Sequence, residues 1–223
     1  MLLQIENVID RAVVEAALEA AAAPGFWADG RATAKGRARA VKSNEQALAA
    51  GPAKGVLEML ARSILDHETV QSAAQPAALA RIMLNRYGEG MEYGAHVDAP
   101  YVEGVRTDLS FTLFLSEPAD YDGGDLAIDS AGAEDFVKLP AGSLILYPAT
   151  SLHRVTKVTR GARIACVGWI KSRVRSAEQR ALLFDLDRIG ADLAAVGPAS
   201  SAMGDIRDRL ANVRNNLLRR WGE

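Results

Sequence analysis

Turn residues cut residues 78–173 into short segments, and no other feature of the chain limits its fold as strongly. The clearest segment is Leu109-Ser110-Phe111-Thr112-Leu113-Phe114-Leu115. Apolar side chains occupy every odd position, as in a strand with one covered face. Further strands are expected at Gly124 to Ile128, Phe136 to Leu139, Gly142 to Tyr147, His153 to Val158 and Arg163 to Ile170. Pro118, Gly123-Gly124, Pro140-Ala141-Gly142, Pro148 and Arg160-Gly161 separate them. Many short strands at this spacing point to a sandwich or small barrel and away from a parallel α/β sheet.

Helical patterns flank this block. Residues 10–22 read as a helix capped by Asp10, with Val13, Val14, Ala17, Leu18 and Ala21 on one face and Pro24-Gly25 as its end. A second helix is expected over 53–65, carrying Val56, Leu57, Leu60 and Ile64. Ser176-Ala177-Glu178-Gln179 has the form of a capping box ahead of Leu182, Leu183 and Leu186. Gly190 and Gly197-Pro198 are expected to interrupt it. A last amphipathic helix carries Ile206, Leu210, Val213, Leu217 and Trp221. The expected organisation is an N-terminal helical, supporting region over 1–77, a β core over 78–173 and a C-terminal helical extension over 174–223.

A chain of 223 residues is long enough to bury a core without disulfides, and its single cysteine, Cys166, can form none internally. Cys166 lies in the apolar run Ile164-Ala165-Cys166-Val167 and reads as a small buried hydrophobe. The N-terminus lacks a basic region and a long apolar stretch, and no segment reaches the length needed to span a bilayer. A cytoplasmic protein is the expectation. The net charge of −2 argues against nucleic-acid binding through bulk electrostatics. Arg31, Lys35, Arg37, Arg39 and Lys42 form a local basic cluster, read either as a solvated edge or as a rim that attracts an acidic substrate.

The candidate chemistry rests on four residues. In a strand, residues i and i+2 share a face, so His96 and Asp98 can both reach one metal ion while Val97 points away. His153 opens a later strand, and Arg163 follows on the next one. Two imidazoles and a carboxylate leave half of a metal's coordination sphere open and suit non-haem Fe(II). His67 has no partner pattern and reads as a surface residue.

The segment Arg86-Tyr87-Gly88-Glu89-Gly90-Met91-Glu92-Tyr93-Gly94-Ala95-His96-Val97-Asp98 resembles the prolyl 4-hydroxylase-like branch of the Fe(II)/2-oxoglutarate dioxygenases. Gly123-Gly124-Asp125-Leu126, Pro140-Ala141-Gly142, His153-Arg154-Val155 and Gly161-Ala162-Arg163 continue the same order. The ending from Trp169 to Ser176, with Gln179-Arg180 and Leu183-Phe184-Asp185-Leu186-Asp187, is similar to the bacterial PKHD-type hydroxylases.

The resemblance implies a mainly β protein with a double-stranded β-helix (jelly-roll, cupin-like) core. It implies Fe(II) held by His96, Asp98 and His153, 2-oxoglutarate as co-substrate, and ascorbate as a reductant that restores the ferrous state. By the same resemblance, Arg163 and Tyr87 would hold the distal carboxylate of 2-oxoglutarate. Some relatives carry a further tyrosine where this chain has Phe114. No catalytic residue beyond the metal site is expected.

The implied reaction is hydroxylation of a C–H bond in a peptide side chain or small amino-acid-like molecule, with succinate and CO2 as co-products. Asp98 favours hydroxylation, because related halogenases lack the carboxylate. Two alternatives stand beside it: a non-catalytic iron-binding jelly-roll sensor, which has no need of Arg163, and a nucleic-acid demethylase. Trp27, Tyr93, Tyr101 and Trp169 are candidates for the mouth of the site, with Trp169, on a strand, read first as core, and Gly88, Gly90 and Gly94 suggest a flexible lid. The partners expected are 2-oxoglutarate, O2 and an unidentified primary substrate, with a homo-oligomer through the terminal helix as a further expectation.

Overall fold

The computed structural model describes all residues except 35, 49, 131 and 197–200. Two antiparallel sheets form its centre. The larger has seven strands in the spatial order Leu3–Ile5, Leu144–Pro148, Leu109–Phe114, Arg163–Ser172, Pro76–Tyr87, Glu45–Leu48 and Ala28–Asp29. The smaller has five: Ala133–Val137, Leu126–Ser130, His153–Val155, Glu92–His96 and Lys42–Ser43. Phe114, Ile145 and Tyr147 of the larger sheet pack against Leu126, Ile128 and Val137 of the smaller. The result is a two-sheet arrangement of the kind the strand pattern predicts, and the jelly roll that the family resemblance implies.

The Leu109–Phe114 strand departs from the half-buried expectation, since all six of its residues are buried. Leu109, Phe111 and Leu113 enter a core built with the helices on the outer face of the sheet. Ser110 and Thr112 face the cavity between the sheets. Ser110 and Thr112 are polar because they line a cavity, not because they meet bulk water.

The helices are α1 (Arg11–Ala21), α2 (Gly36–Ala40), α3 (Lys54–Asp66), α4 (Glu68–Ala74), α5 (Ala177–Ala195) and α6 (Ser201–Trp221). Asp10 caps α1 as expected, accepting from the Val13 N–H at 2.9 Å. Leu57, Leu60 and Ile64 of α3 and Val70 of α4 are fully buried against the larger sheet. The segment before residue 78 is more than helical, because it adds edge strands to both sheets. One of these edge strands, Lys42–Ser43, and the interior strand Glu45–Leu48 later bear on the site. His67 lies at the α3–α4 junction, where it is half-buried, not on the open surface.

The C-terminal pattern is also modified. Ser176 accepts from the Gln179 N–H at 3.3 Å to begin α5. Gly190 does not interrupt that helix, which runs through it, beside Leu210 of α6, to Ala195. The Gly197-Pro198 break lies outside the described residues. In α6, Leu210, Leu217 and Trp221 are partly covered, whereas Ile206 and Val213 are half exposed. Polar anchors set this rotation: Arg207 donates to the Leu193 carbonyl, and Arg214 pairs with Asp187 at 2.6 Å.

The other strands keep their order with shifted ends. The segment expected at Phe136 to Leu139 becomes Ala133–Val137, because its hairpin with Leu126–Ser130 closes where Ser130 pairs with Ala133. Cys166 is fully buried, and burial raises its thiol pKa, in keeping with a packing role. Among the described residues, no helix is long and apolar enough to cross a membrane.

Candidate metal and co-substrate site

The strand pairing that joins Glu92–His96 to His153–Val155 sets His153 directly opposite His96. Asp98 follows two residues after His96, just beyond its strand. One ligand-type atom from each of His96, Asp98 and His153 lies within 4.8 Å of the others. Nε2 of His153 is 3.8 Å from Oδ2 of Asp98. Val97 is exposed, as the alternation requires.

Each imidazole is oriented by its other nitrogen. Nδ1 of His96 lies 2.9 Å from the Gly94 carbonyl, and Nδ1 of His153 lies 3.0 Å from the Ser151 carbonyl. Donation from Nδ1 fixes the tautomer that leaves Nε2 free as a ligand atom. Burial, with the neighbouring His153, lowers the pKa of His96 to about 4, so its neutral form dominates at neutral pH. Ser110 donates to Oδ2 of Asp98 at 2.6 Å and steadies the carboxylate. The Tyr93 ring stacks on His96 at 3.6 Å, and Tyr147 packs edge-on to His153 at 5.3 Å.

Gly94 has a steric role instead of the flexible one suggested by its neighbours. A Cβ there would come within 2.8 Å of Val41. Its missing side chain lets the Lys42–Ser43 strand lie against the strand that carries His96.

Arg163 begins its strand opposite Tyr87. It is 1% exposed, with its guanidinium over the rings of Phe114 at 5.2 Å and Tyr87 at 5.5 Å. Its Nε has no hydrogen-bond partner, and no carboxylate among the described residues pairs with it. A buried charge without a counter-ion costs several kcal/mol. A carboxylate arriving from a ligand would relieve that cost. Burial pushes the Tyr87 hydroxyl up to about 12, so it remains a neutral donor beside Arg163. The three-ligand set and the unpaired guanidinium together fit Fe(II) and a dicarboxylate.

The four residues from the sequence and Tyr87 line one cavity of about 390 Å³ between the sheets. Tyr93, Tyr101 and Trp169 also line it. Trp169 therefore leaves the core role expected of it. Trp27 lies elsewhere, donating from Nε1 to the Ala21 carbonyl and packing on Phe26. The basic cluster divides: Arg31, Arg37 and Arg39 are exposed, whereas Lys42 is 6% exposed and lines the cavity. Lys35 lies outside the described residues.

Sequence reasoning missed Ser110 and Tyr121, and it named Lys42 only as one member of the basic cluster. Tyr121 is fully buried, and its hydroxyl has no partner. The even positions of the strand starting at Leu109 held a signal for Ser110. Nothing local marked Tyr121 or set Lys42 apart from the rest of its cluster.

Comparison with known proteins places this architecture. The family model described as the 2OG-Fe(II) oxygenase superfamily matches residues 82–171. A PKHD-type hydroxylase of Parvibaculum lavamentivorans is 44% identical over 225 residues, covering 100% of both chains. A second, from Paraburkholderia phytofirmans, is 44% identical over 230 residues with the same coverage. Among solved structures, a Pseudomonas putida prolyl-4-hydroxylase superposes with a TM-score of 0.54 at 20% identity, over 77% of this chain and 92% of that one. A viral collagen prolyl hydroxylase from Paramecium Bursaria Chlorella virus-1 gives 0.53 at 16% identity, over 77% and 96%. At these identities the two solved structures speak to fold alone.

Proposed function

The chain belongs to the PKHD-type hydroxylases of the 2OG-Fe(II) oxygenase superfamily, and from that premise we propose how its own residues divide the work. Nε2 of His96, a carboxylate oxygen of Asp98 and Nε2 of His153 hold Fe(II). Arg163 and Tyr87 hold the distal carboxylate of 2-oxoglutarate.

Bound Fe(II) supplies O2 activation: one oxygen atom enters succinate as 2-oxoglutarate loses CO2, and the other converts a substrate C–H to C–OH. The protein's contribution is placement. The Gly94 and Ser151 carbonyls aim the two imidazoles, and Ser110 fixes one oxygen of Asp98. A charge-assisted bond from Arg163 contributes about 1.5–3 kcal/mol to holding the co-substrate.

The primary substrate is a peptide side chain or a small amino-acid-like molecule. The observation that carries this enzymatic reading is Arg163, buried and unpaired in the same cavity as the three ligand-type residues. A metal-binding sensor would have no use for such a guanidinium. The test supplies Fe(II), 2-oxoglutarate and a cell extract, and measures succinate together with a mass gain of one oxygen in an extract component. Omitting Fe(II) should abolish both signals. Succinate formation that persists without Fe(II) would defeat the proposal.

A further inference from the structure

The cavity contains a second buried cation that the co-substrate does not account for. Five residues of its lining carry formal charge: Lys42, Arg81, Asp98, Glu103 and Arg163. Arg81 is paired with Glu103 at 2.8 Å. In the proposed function, Asp98 is committed to the metal and Arg163 to the distal end of 2-oxoglutarate. Among the described residues no carboxylate stands in ion-pair contact with Lys42, although Asp29 lies within its field.

Among the described residues only neutral groups touch its ammonium, while Asp98, Asp29 and Arg81 act on it from longer range. Nζ donates to Thr33 Oγ1 at 3.1 Å. The Gln46 amide oxygen, in the orientation that satisfies its neighbours, accepts from it at 2.7 Å. The Tyr93 ring lies 5.1 Å away. An ammonium has three N–H donors, so one remains for a ligand. Burial lowers Lys42 to about 8, with the field of Asp98 opposing the shift, and the charged form still dominates at neutral pH.

The fold fixes its position relative to the metal site. Lys42 pairs with Tyr93 across the edge of the smaller sheet, three residues before His96, and the Tyr93 ring stacks on that imidazole. The ammonium, the phenol ring and the metal-facing histidine thus stand in sequence along one wall.

Resting on the proposed function, we infer that Lys42, with Thr33 and Gln46, forms a carboxylate subsite for the primary substrate. The substrate class is then an amino-acid-like small molecule that carries a carboxylate near the carbon to be hydroxylated. A residue in the interior of a peptide chain has no main-chain carboxylate to offer there. The subsite also gives the basic cluster a function in one member only, the lysine that the chain turns inward.

The test uses the full-length protein loaded with diamagnetic Zn(II) and saturating 2-oxoglutarate, with lysine labelled at Cε for NMR. The probes are acetate and N-acetylglycine, with acetamide as the uncharged match. The Lys42 signal should move saturably with both carboxylates at millimolar concentration and stay still with acetamide. Isothermal titration with N-acetylglycine should show binding weakened by about tenfold or more in Lys42→Met and largely restored in Lys42→Arg. The 2-oxoglutarate affinity of Lys42→Met should stay within about twofold of wild type.

Absence of saturable movement, or an equal response to acetamide, would overturn the subsite. So would a fall in 2-oxoglutarate affinity of about fivefold or more in Lys42→Met, which would assign the lysine to the co-substrate clamp. Failure of the wild-type protein to bind 2-oxoglutarate would instead strike at the parent proposal, and that titration reads it separately.

Discussion

The two faces of the larger sheet have opposite chemistry although the same strands build them. The outer face carries Leu109, Phe111, Leu113, Leu144 and Leu146, closed over by α1, α3 and α4. The inner face carries Ser110, Thr112, Asn85, Tyr87 and Arg163, all buried around a cavity. Burial is similar on the two sides, yet apolar contact occupies one and polar groups with incomplete pairing occupy the other. The outer face holds the fold together. The inner face holds groups that cost stability until a ligand satisfies them.

Substitution around the cavity that the inner face lines should therefore remove function and leave stability intact. The largest effect is expected for Asp98→Ala, which should reduce succinate formation to background and lower bound iron in metal analysis, while the thermal midpoint of the metal-free protein holds. On the outer face, Leu113→Ala should cost about 2–5 kcal/mol in urea unfolding. Turnover per folded molecule should survive it. Loss of stability in the first variant, or of turnover alone in the second, would break the contrast between the faces.

Arg163→Met sharpens it further. Titration should show 2-oxoglutarate binding weakened by roughly 10- to 150-fold. The ligand-free protein should melt at a higher temperature than wild type, because an uncompensated buried charge is gone. Ser110→Ala frees one oxygen of Asp98 and should weaken metal affinity by about 10- to 100-fold in a chelator competition. Tyr87→Phe should have the smallest effect, about 1 kcal/mol in 2-oxoglutarate binding.

The ligand-type pair was legible because it is local. His96 and Asp98 are two residues apart beside a strand, and strand geometry alone turns them to one side. Arg163 and His153 became legible through their place in the order of β segments. The burial of Ser110 was not legible, since an alternating strand looks the same whether its polar face meets water or a closed cavity. The rotation of α6 was hidden for a related reason: Arg207 and Arg214 find their partners on α5, and those partners decide which apolar residues stay exposed.

By itself, the sequence determined the β core, the capped helices, the spacing of the ligand-type residues and the membership of the family, because each is written in short-range periodicity or in ordered motifs. Tertiary structure alone decided which way Lys42 turns and that Arg163 lacks a counter-ion. It also decided which carbonyls orient the histidines. Those outcomes depend on strand pairings between residues far apart in the chain, such as Lys42 with Tyr93 and His96 with His153. The charge and size of a side chain do not reveal its neighbours until the sheets have closed around it.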